Sequence, residues 1–207
     1  MPLQNRVDPF GELNAVAARG LLFGNRGGRI HDDDRRLTRR RWTSRAWICC
    51  RLAFKGRHRT VWGKGYTELF FLDEPTAFAA GHRPCFECRR TDALAFAAAW
   101  ARGHRLAASP RAPAMDAVLH AQRLDGRAKR RHRVALDDLP DGAMVVMPGH
   151  GDRALAVRGN ALLPWTASGY GPRQPRPRGI AVDLLTPPAT VAALAAGYRP
   201  QWHTSAA

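Results

Sequence analysis

The residues whose types and spacing best suit chemistry are four cysteines, which fall into two pairs. Cys85 and Cys88 are separated by two residues, a spacing that lets both thiolates face one tetrahedral ion. Such a pair supplies half of a four-thiolate site, and Cys49 and Cys50 lie upstream to complete it. The sequence therefore predicts one structural zinc ion, bound by Cys85 and Cys88 together with one or both of Cys49 and Cys50.

The adjacency of Cys49 and Cys50 leaves the ligand set open. Both lie in a predicted strand over residues 46–54, where neighbouring side chains point to opposite faces. Both reach one ion only if a bulge or a strand end bends the chain. Otherwise one of them is a ligand and the other a small buried hydrophobe. A histidine, His58 or His82, would then be the fourth ligand, although each also reads as an uninvolved surface residue.

The charge of the chain is strongly positive. Its 207 residues carry 33 Lys and Arg against 17 Asp and Glu, for a net charge of +16. All of these cations except Lys55, Lys64 and Lys129 are arginines, whose planar fork of donors matches phosphate. A GC-rich codon bias explains arginine over lysine but does not explain the shortage of acids. The composition therefore predicts nucleic acid as the partner.

Basic segments with a nearby aromatic residue are the candidate contacts. Residues 35–45 contain a run of arginines that ends on a tryptophan, and residues 125–133 form a second basic run. We predict that phosphates are contacted by arginines and that a tryptophan stacks on a base. These residues are Arg39, Arg40, Arg41, Trp42, Arg57 and Arg59. The alternative for the first run is a solvated loop.

Hydropathy predicts a cytoplasmic protein that does not enter membranes. Residues 1–13 lack the basic and apolar regions of a signal peptide. No apolar run approaches the ~20 residues that span a bilayer. Thiols stay reduced in the cytoplasm, so clustered cysteines there indicate a metal or catalysis before a disulfide.

The pattern of elements predicts an α+β fold with two parts. Residues 1–102 form a small mixed zinc-binding domain, with a zinc-ribbon-like hairpin at residues 19–31, short strands at 46–54, 59–62 and 66–72, and helices on either side of the cysteine knuckle. The first helix is capped by Asp73 or Glu74 and closed by Gly81, and the second is capped by Thr91. Residues 103–114 form a linker, and a further helix follows near 116–124. Residues 115–207 form a β-meander with flanking helices, packed separately or as one unit with the first part. Residues 79–84 and 195–200 differ at one position, which raises the alternative that the second part is a degenerate repeat of the first.

The stretch AAGHRPCFEC, residues 79–88, resembles the zinc-binding domain of the adaptive-response DNA alkylation-repair (Ada) family. The similarity covers roughly residues 45–100. It implies a mixed α/β zinc fold that touches DNA, four thiolates on the ion and a link to DNA repair. It also implies that Cys49 or Cys50 accepts a methyl group from a DNA phosphotriester. The family spaces its first cysteine pair by three residues, whereas Cys49 and Cys50 are adjacent.

The sequence thus favours a zinc-stabilised nucleic-acid-binding protein. One alternative is a zinc-thiolate enzyme that transfers an alkyl group from DNA or RNA to Cys49 or Cys50. The other is an interaction module whose positive charge binds an acidic protein.

Overall fold

The computed structural model describes residues 1–58 and 60–207. Within these residues the chain forms several β-sheets and four α-helices, so the predicted mixed α+β class is confirmed. The helices are α1 (Glu74–Ala79), α2 (Arg90–Gly103), α3 (Ala112–Arg123) and α4 (Pro188–Ala195), and a 3-10 helix covers Thr204–Ala206. None of the helices in this part of the chain has the length and apolar character needed to cross a membrane.

The first sheet has the strand order β2-β1-β5-β3-β4-β6. Its strands are β1 (Arg6–Val7), β2 (Leu13–Asn14), β3 (Leu22–Asn25), β4 (Ile48–Arg51), β5 (Leu69–Phe71) and β6 (Arg83–Pro84). Strand β4 pairs antiparallel with β3 on one edge and parallel with β6 on the other. Because β4 is paired on both edges, the face to which each of its side chains points is fixed.

The second sheet contains the predicted meander. Its strand order is β13-β12-β11-β10-β15-β9, and β14 also pairs with β12. The strands are β9 (His132–Ala135), β10 (Met144–Val146), β11 (Ala154–Arg158), β12 (Ala161–Thr166), β13 (Gly169–Tyr170), β14 (Gln174–Pro175) and β15 (Ala181–Leu184), and a small hairpin joins β7 (Leu124–Asp125) to β8 (Ala128–Lys129). Consecutive antiparallel pairing of β10, β11 and β12 confirms the meander.

Apolar side chains from both predicted parts share the same cores. One cluster joins Phe78 of α1 and Phe96 of α2 to Leu119 of α3 and Leu194 of α4. Another joins Leu72, which follows β5, to side chains of β10, β11 and β12. Burial of this kind contributes roughly 25 cal/mol per Å² of apolar surface removed from water.

Helix α1 begins and ends as its sequence predicts. Asp73 is the N-cap, and its carboxylate accepts a hydrogen bond from the backbone N–H of Thr76 at 3.0 Å. Gly81 follows the helix with φ +87°, a conformation that favours glycine. Gly197 follows α4 with φ +100°, so the two similar segments at 79–84 and 195–200 both form glycine turns after a helix.

Three sequence predictions about local structure are wrong. The hairpin at 19–31 does not form, because β3 pairs with the distant strands β4 and β5. Residues 60–62 form a turn in which Trp62 has φ 57°, which is incompatible with a strand; Arg59 lies outside the described residues. Helix α2 begins at Arg90 rather than after a Thr91 cap, because Arg89 occupies the N-cap position.

Helix α3 also differs from its prediction. It was expected near residues 116–124, after a linker at 103–114, but it begins at Ala112. Pro113 lies in its first turn, where the missing N–H of proline has no cost.

Gly24 provides a test of how tightly β3 and β4 pack. A Cβ at this position would lie 2.0 Å from the carbonyl oxygen of Ile48 and 2.9 Å from the Phe71 ring. We expect Gly24→Ala to lower the free energy of unfolding by about 3 kcal/mol, because the backbone of β4 must move. Gly65→Ala is the matched control, since no atom lies within 4 Å of its added Cβ, and it should change stability by less than about 0.5 kcal/mol. Urea unfolding followed by circular dichroism measures both; equal effects would contradict this packing.

Candidate metal centre and basic surface

Cys50, Cys85 and Cys88 form a compact sulfur cluster. Their Sγ atoms all lie within 4.8 Å of one another, and all three side chains are buried. The surrounding wall is apolar and includes Phe23, with Phe54 partly buried beside it. Three thiols at this spacing can hold a metal ion. No further His, Cys, Asp or Glu among the described residues belongs to the group.

The pairing of β4 with β6 brings the two halves of the cluster together. Pro84 lies beside Cys49 in the parallel register, and the N–H of Cys85 donates to the carbonyl of Cys49 at 3.0 Å. Cys85 therefore leaves the sheet next to Cys50. The N–H of Arg89 donates to the carbonyl of Cys85 at 3.0 Å, which closes the knuckle and leads into α2. The Cys-x-x-Cys spacing then places Cys88 on the same side as Cys85.

The thiols of the cluster differ in their proton affinity. Hydrogen bonds from Cys50 and Cys88 lower the pKa of Cys85 to about 2. The hydrogen bond of Cys50 to Cys85, followed in size by its hydrogen bond to Cys88, raises the pKa of Cys50 well above its usual range. One thiolate is thus stabilised by two thiol donors, and a cation is needed to hold all three as thiolates. This donor set fits a thiophilic metal such as zinc.

Cys49 lies on the other face of β4. Its side chain is fully buried and packs with Val7, Leu22 and Phe71 in the core of the first sheet. Its Sγ accepts a hydrogen bond from Nη1 of Arg89 at 3.3 Å, and burial raises its pKa to about 12. The four predicted ligands are therefore not brought together. The strand remains regular, so one cysteine joins the cluster while the other is a buried hydrophobe.

Neither candidate histidine joins the sulfur cluster. His58 is exposed. His82, which was also read as a surface residue, is instead fully buried, with its ring centroid 5.0 Å from that of Trp47 and 4.6 Å from that of Phe71. Burial and the charges of Arg26 and Arg123 lower its pKa well below the usual value, so it is a neutral core residue.

Arg89 connects the back of the metal centre to a buried carboxylate. Its Nη1 lies 2.8 Å from Oε1 of Glu74, and its Nε donates to Oδ2 of Asp92 at 2.8 Å. Tyr198 donates its hydroxyl to Oε1 of Glu74 at 2.9 Å, and the N–H of Gln201 donates to Oε2 at 2.8 Å. The sequence gives no motif for this network, because acidic residues at a helix start are common whether or not they are buried.

The two basic segments meet on one surface. Nη2 of Arg127 donates to the carbonyl of Arg39 at 2.7 Å, and Nη2 of Arg123 donates to the carbonyl of Arg45 at 3.0 Å. Arg39, Arg40, Arg45 and Arg127 are exposed. Among the described residues, no carboxylate lies within salt-bridge distance of these four side chains. We call these four residues the arginine surface.

The other predicted nucleic-acid contacts have more restricted positions. Arg41 forms an ion pair with Glu12. Arg57 is exposed, but its Nη2 lies 2.5 Å from Oε1 of Glu87 in the cysteine knuckle. Trp42 is half-buried. Its ring centroid lies 6.0 Å from that of Trp47 and 5.6 Å from that of His120. Arg59 lies outside the described residues.

Behind the arginine surface, two buried arginines enclose Trp47. Their Cζ atoms lie 4.0 Å (Arg26) and 3.9 Å (Arg123) from the indole centroid. Their guanidinium groups donate to the carbonyls of Gly11 and Gly81, and burial lowers the pKa of each to about 9. Sequence reasoning missed this arrangement, because Arg26 and Arg123 are far apart in the chain.

Comparison with known protein families, with curated proteins and with solved structures finds no match for this chain. The resemblance of residues 45–100 to the Ada zinc domain therefore stays a prediction.

Metal analysis of single cysteine variants tests the centre. We expect one metal ion per chain in the purified protein by inductively coupled plasma mass spectrometry. Cys50→Ser, Cys85→Ser and Cys88→Ser should each lose most of it, because each removes a sulfur from the cluster. Cys49→Ser is the matched control and should retain the metal, since its sulfur faces the core. Equal loss in Cys49→Ser would place Cys49 among the ligands, and a metal-free wild-type protein would contradict the site.

Proposed function

We propose that this chain is a nucleic-acid-binding protein whose fold around β4 is stabilised by a zinc ion on Cys50, Cys85 and Cys88. The observation that carries the proposal is the convergence of two basic segments on the arginine surface, where Arg127 contacts the backbone of Arg39 at 2.7 Å. Four exposed guanidinium groups without carboxylate partners in the described part of the chain suit a polyanion.

The assignment of zinc follows from the chemistry of the donors. Thiolates favour zinc among common cytoplasmic metals, and a buried cluster on a strand and a helix start is typical of a structural site. The ion would tie β4 to the start of α2, two elements that are distant in sequence. Such an ion would stabilise the folded state because it binds the assembled cluster and not the open chain, so that its binding free energy adds to the free energy of folding.

The burial of the cysteines favours a binding protein over an enzyme that transfers an alkyl group. A zinc-thiolate that accepts an alkyl group must reach its substrate, but Cys49 is fully buried and Cys50 is only 5% exposed. DNA in preference to RNA, and a role in repair, are supported only by the Ada resemblance of residues 45–100.

Charge-matched arginine variants test the function. We expect a triple variant of Arg39→Gln, Arg40→Gln and Arg127→Gln to bind duplex DNA at least about tenfold more weakly, because it loses phosphate contacts. Each lost contact should also make the fall of log K with log salt less steep by about 0.9. Fluorescence anisotropy over a salt series, with duplex DNA, single-stranded DNA and RNA of one sequence, measures the effect and the preferred nucleic acid.

The control removes the same three charges elsewhere on the surface. Arg105 follows α2, Arg111 precedes α3, and Arg173 lies between β13 and β14; all three are exposed. Their substitution by Gln should leave affinity nearly unchanged. Equal weakening by both triple variants would show that the effect comes from the total charge of the protein and not from the arginine surface. Absence of binding to all three nucleic acids at low salt would overturn the proposal. Polyglutamate binding as tight as DNA binding would favour the acidic-protein alternative instead.

A further inference from the structure

A cavity of about 850 Å³ lies between the turn after β1, the end of β8 and the strands β11 and β12. Its lining includes the aromatic residues Phe10 and Trp165 and the cations Lys129, Arg131 and Arg153. This volume falls within the ~300–1,000 Å³ range of small-molecule sites. None of these residues belongs to the metal centre or to the arginine surface.

The aromatic wall of the cavity is held in place. The indole N–H of Trp165 donates to Oγ1 of Thr76 at 2.9 Å, which fixes the orientation of the ring. The backbone of Phe10 is fixed by its N–H, which donates to Oδ1 of Asp8 at 2.9 Å. Both rings are half-buried and pack against one core cluster. Cζ of Arg131 lies 5.4 Å from the centroid of the Phe10 ring, so one arginine already packs on this ring. A planar ligand can therefore stack on Trp165, beside Phe10, with little loss of side-chain entropy.

Two cations of the cavity lining have no carboxylate partner. Its three carboxylates already have partners. Asp8 accepts from the N–H groups of its own turn and from Asn14, Glu12 pairs with Arg41, and Oδ1 of Asp152 lies 2.5 Å from Nη2 of Arg131. Arg153 and Lys129, in contrast, have no carboxylate within salt-bridge distance among the described residues. The cavity thus combines an aromatic wall with an exposed arginine, Arg153, that has no ion-pair partner in the described part of the chain.

Lys129 is a further cation of the cavity lining, and its ammonium donates to the carbonyl of Ala79. Burial and the nearby charges of Arg123 and Arg26 lower the pKa of Lys129 to about 7, while the carboxylate of Asp8 acts in the opposite direction. An anion in the cavity would favour the charged form of Lys129 and offset this repulsion.

We infer that this cavity binds a nucleoside monophosphate unit, with the base stacked on Trp165 and Phe10 and the phosphate bound by Arg153. A nucleotide carries both a planar ring and a negative charge, and a basic protein proposed to bind nucleic acid meets this ligand class. The unit can be a free nucleotide or one nucleotide of a bound strand. A strand bound to the arginine surface can reach the cavity, because Arg127 immediately precedes β8 and because Glu12, which lines the cavity, pairs with Arg41. Binding of one nucleotide of a strand rests on the proposed function, whereas binding of a free nucleotide does not.

Isothermal titration calorimetry with deoxyadenosine monophosphate, deoxyadenosine and inorganic phosphate tests the cavity. The monophosphate should bind the wild-type protein more tightly than either fragment. Trp165→Leu should weaken binding of the monophosphate and of deoxyadenosine about tenfold, the effect of a lost stacking contact. Arg153→Gln should weaken the monophosphate about tenfold but leave deoxyadenosine unchanged. Arg153 is exposed, so this second variant tests the cavity even if Trp165→Leu does not fold.

Matched controls separate the cavity from general effects. Trp202 packs in the same core cluster and is half-buried, but it does not line the cavity. Trp202→Leu and Arg173→Gln should therefore bind the monophosphate like the wild-type protein. No binding of the monophosphate to the wild-type protein, or equal weakening by the Trp165 and Trp202 variants, would overturn the inference.

Oligonucleotides carrying 2-aminopurine distinguish the two sources of the nucleotide. Quenching of 2-aminopurine that is lost in Arg153→Gln and Trp165→Leu identifies a nucleotide of the strand as the occupant. Tight monophosphate binding without any strand binding identifies the free nucleotide, and the proposed function would fail while the cavity stands. Strand binding that depends on the arginine surface, with no monophosphate binding and no quenching, would overturn the cavity alone.

Discussion

Strand β4 can present only one of two neighbouring side chains to each face, and both faces of this strand are in use. Cys50 points to the sulfur cluster with Cys85 and Cys88, while Cys49 points into the core and accepts a hydrogen bond from Arg89. Pairing with β3 and β6 on both edges prevents the rotation or bulge that would bring both cysteines to one side. The metal centre, the first core and the start of α2 all follow from this alternation.

Buried charge is handled in two different ways on the two sides of α1. At its N-terminus, Glu74 is paired with Arg89 and is further bonded to Tyr198 and the backbone of Gln201, so the desolvation of the two ions is partly offset. After its C-terminus, the cations Arg26, Arg123 and Lys129 donate to carbonyl groups, and Arg123 also contacts Nδ1 of His120 at 2.9 Å. In this second arrangement, burial lowers the pKa of each of the three cations.

The parts of the structure that follow from local patterns could be predicted from the sequence. The meander of β10 to β12, the cap of α1 by Asp73 and the pairing of Cys85 with Cys88 each depend on residues a few positions apart. Three features depend instead on long-range pairing: the choice of Cys50 over Cys49, the contact of Arg127 with Arg39, and the cavity beside Trp165. The register of β4 against β6 decides the first of these, and no local pattern in residues 46–54 encodes that register.

The metal centre and the arginine surface are connected through a single short segment. Strand β4 ends near Cys50 in the sulfur cluster, whereas Trp47, directly before its first residue, is enclosed by Arg26 and Arg123. Arg123 also holds the carbonyl of Arg45 at 3.0 Å, and it lies at the end of α3 next to the hairpin that carries Arg127. A metal ion that fixes one end of β4 therefore limits the movement of the other end. In the function we propose, a structural ion would contribute to nucleic-acid binding by holding the arginine side chains in one geometry, which would reduce the entropy lost when they contact phosphate.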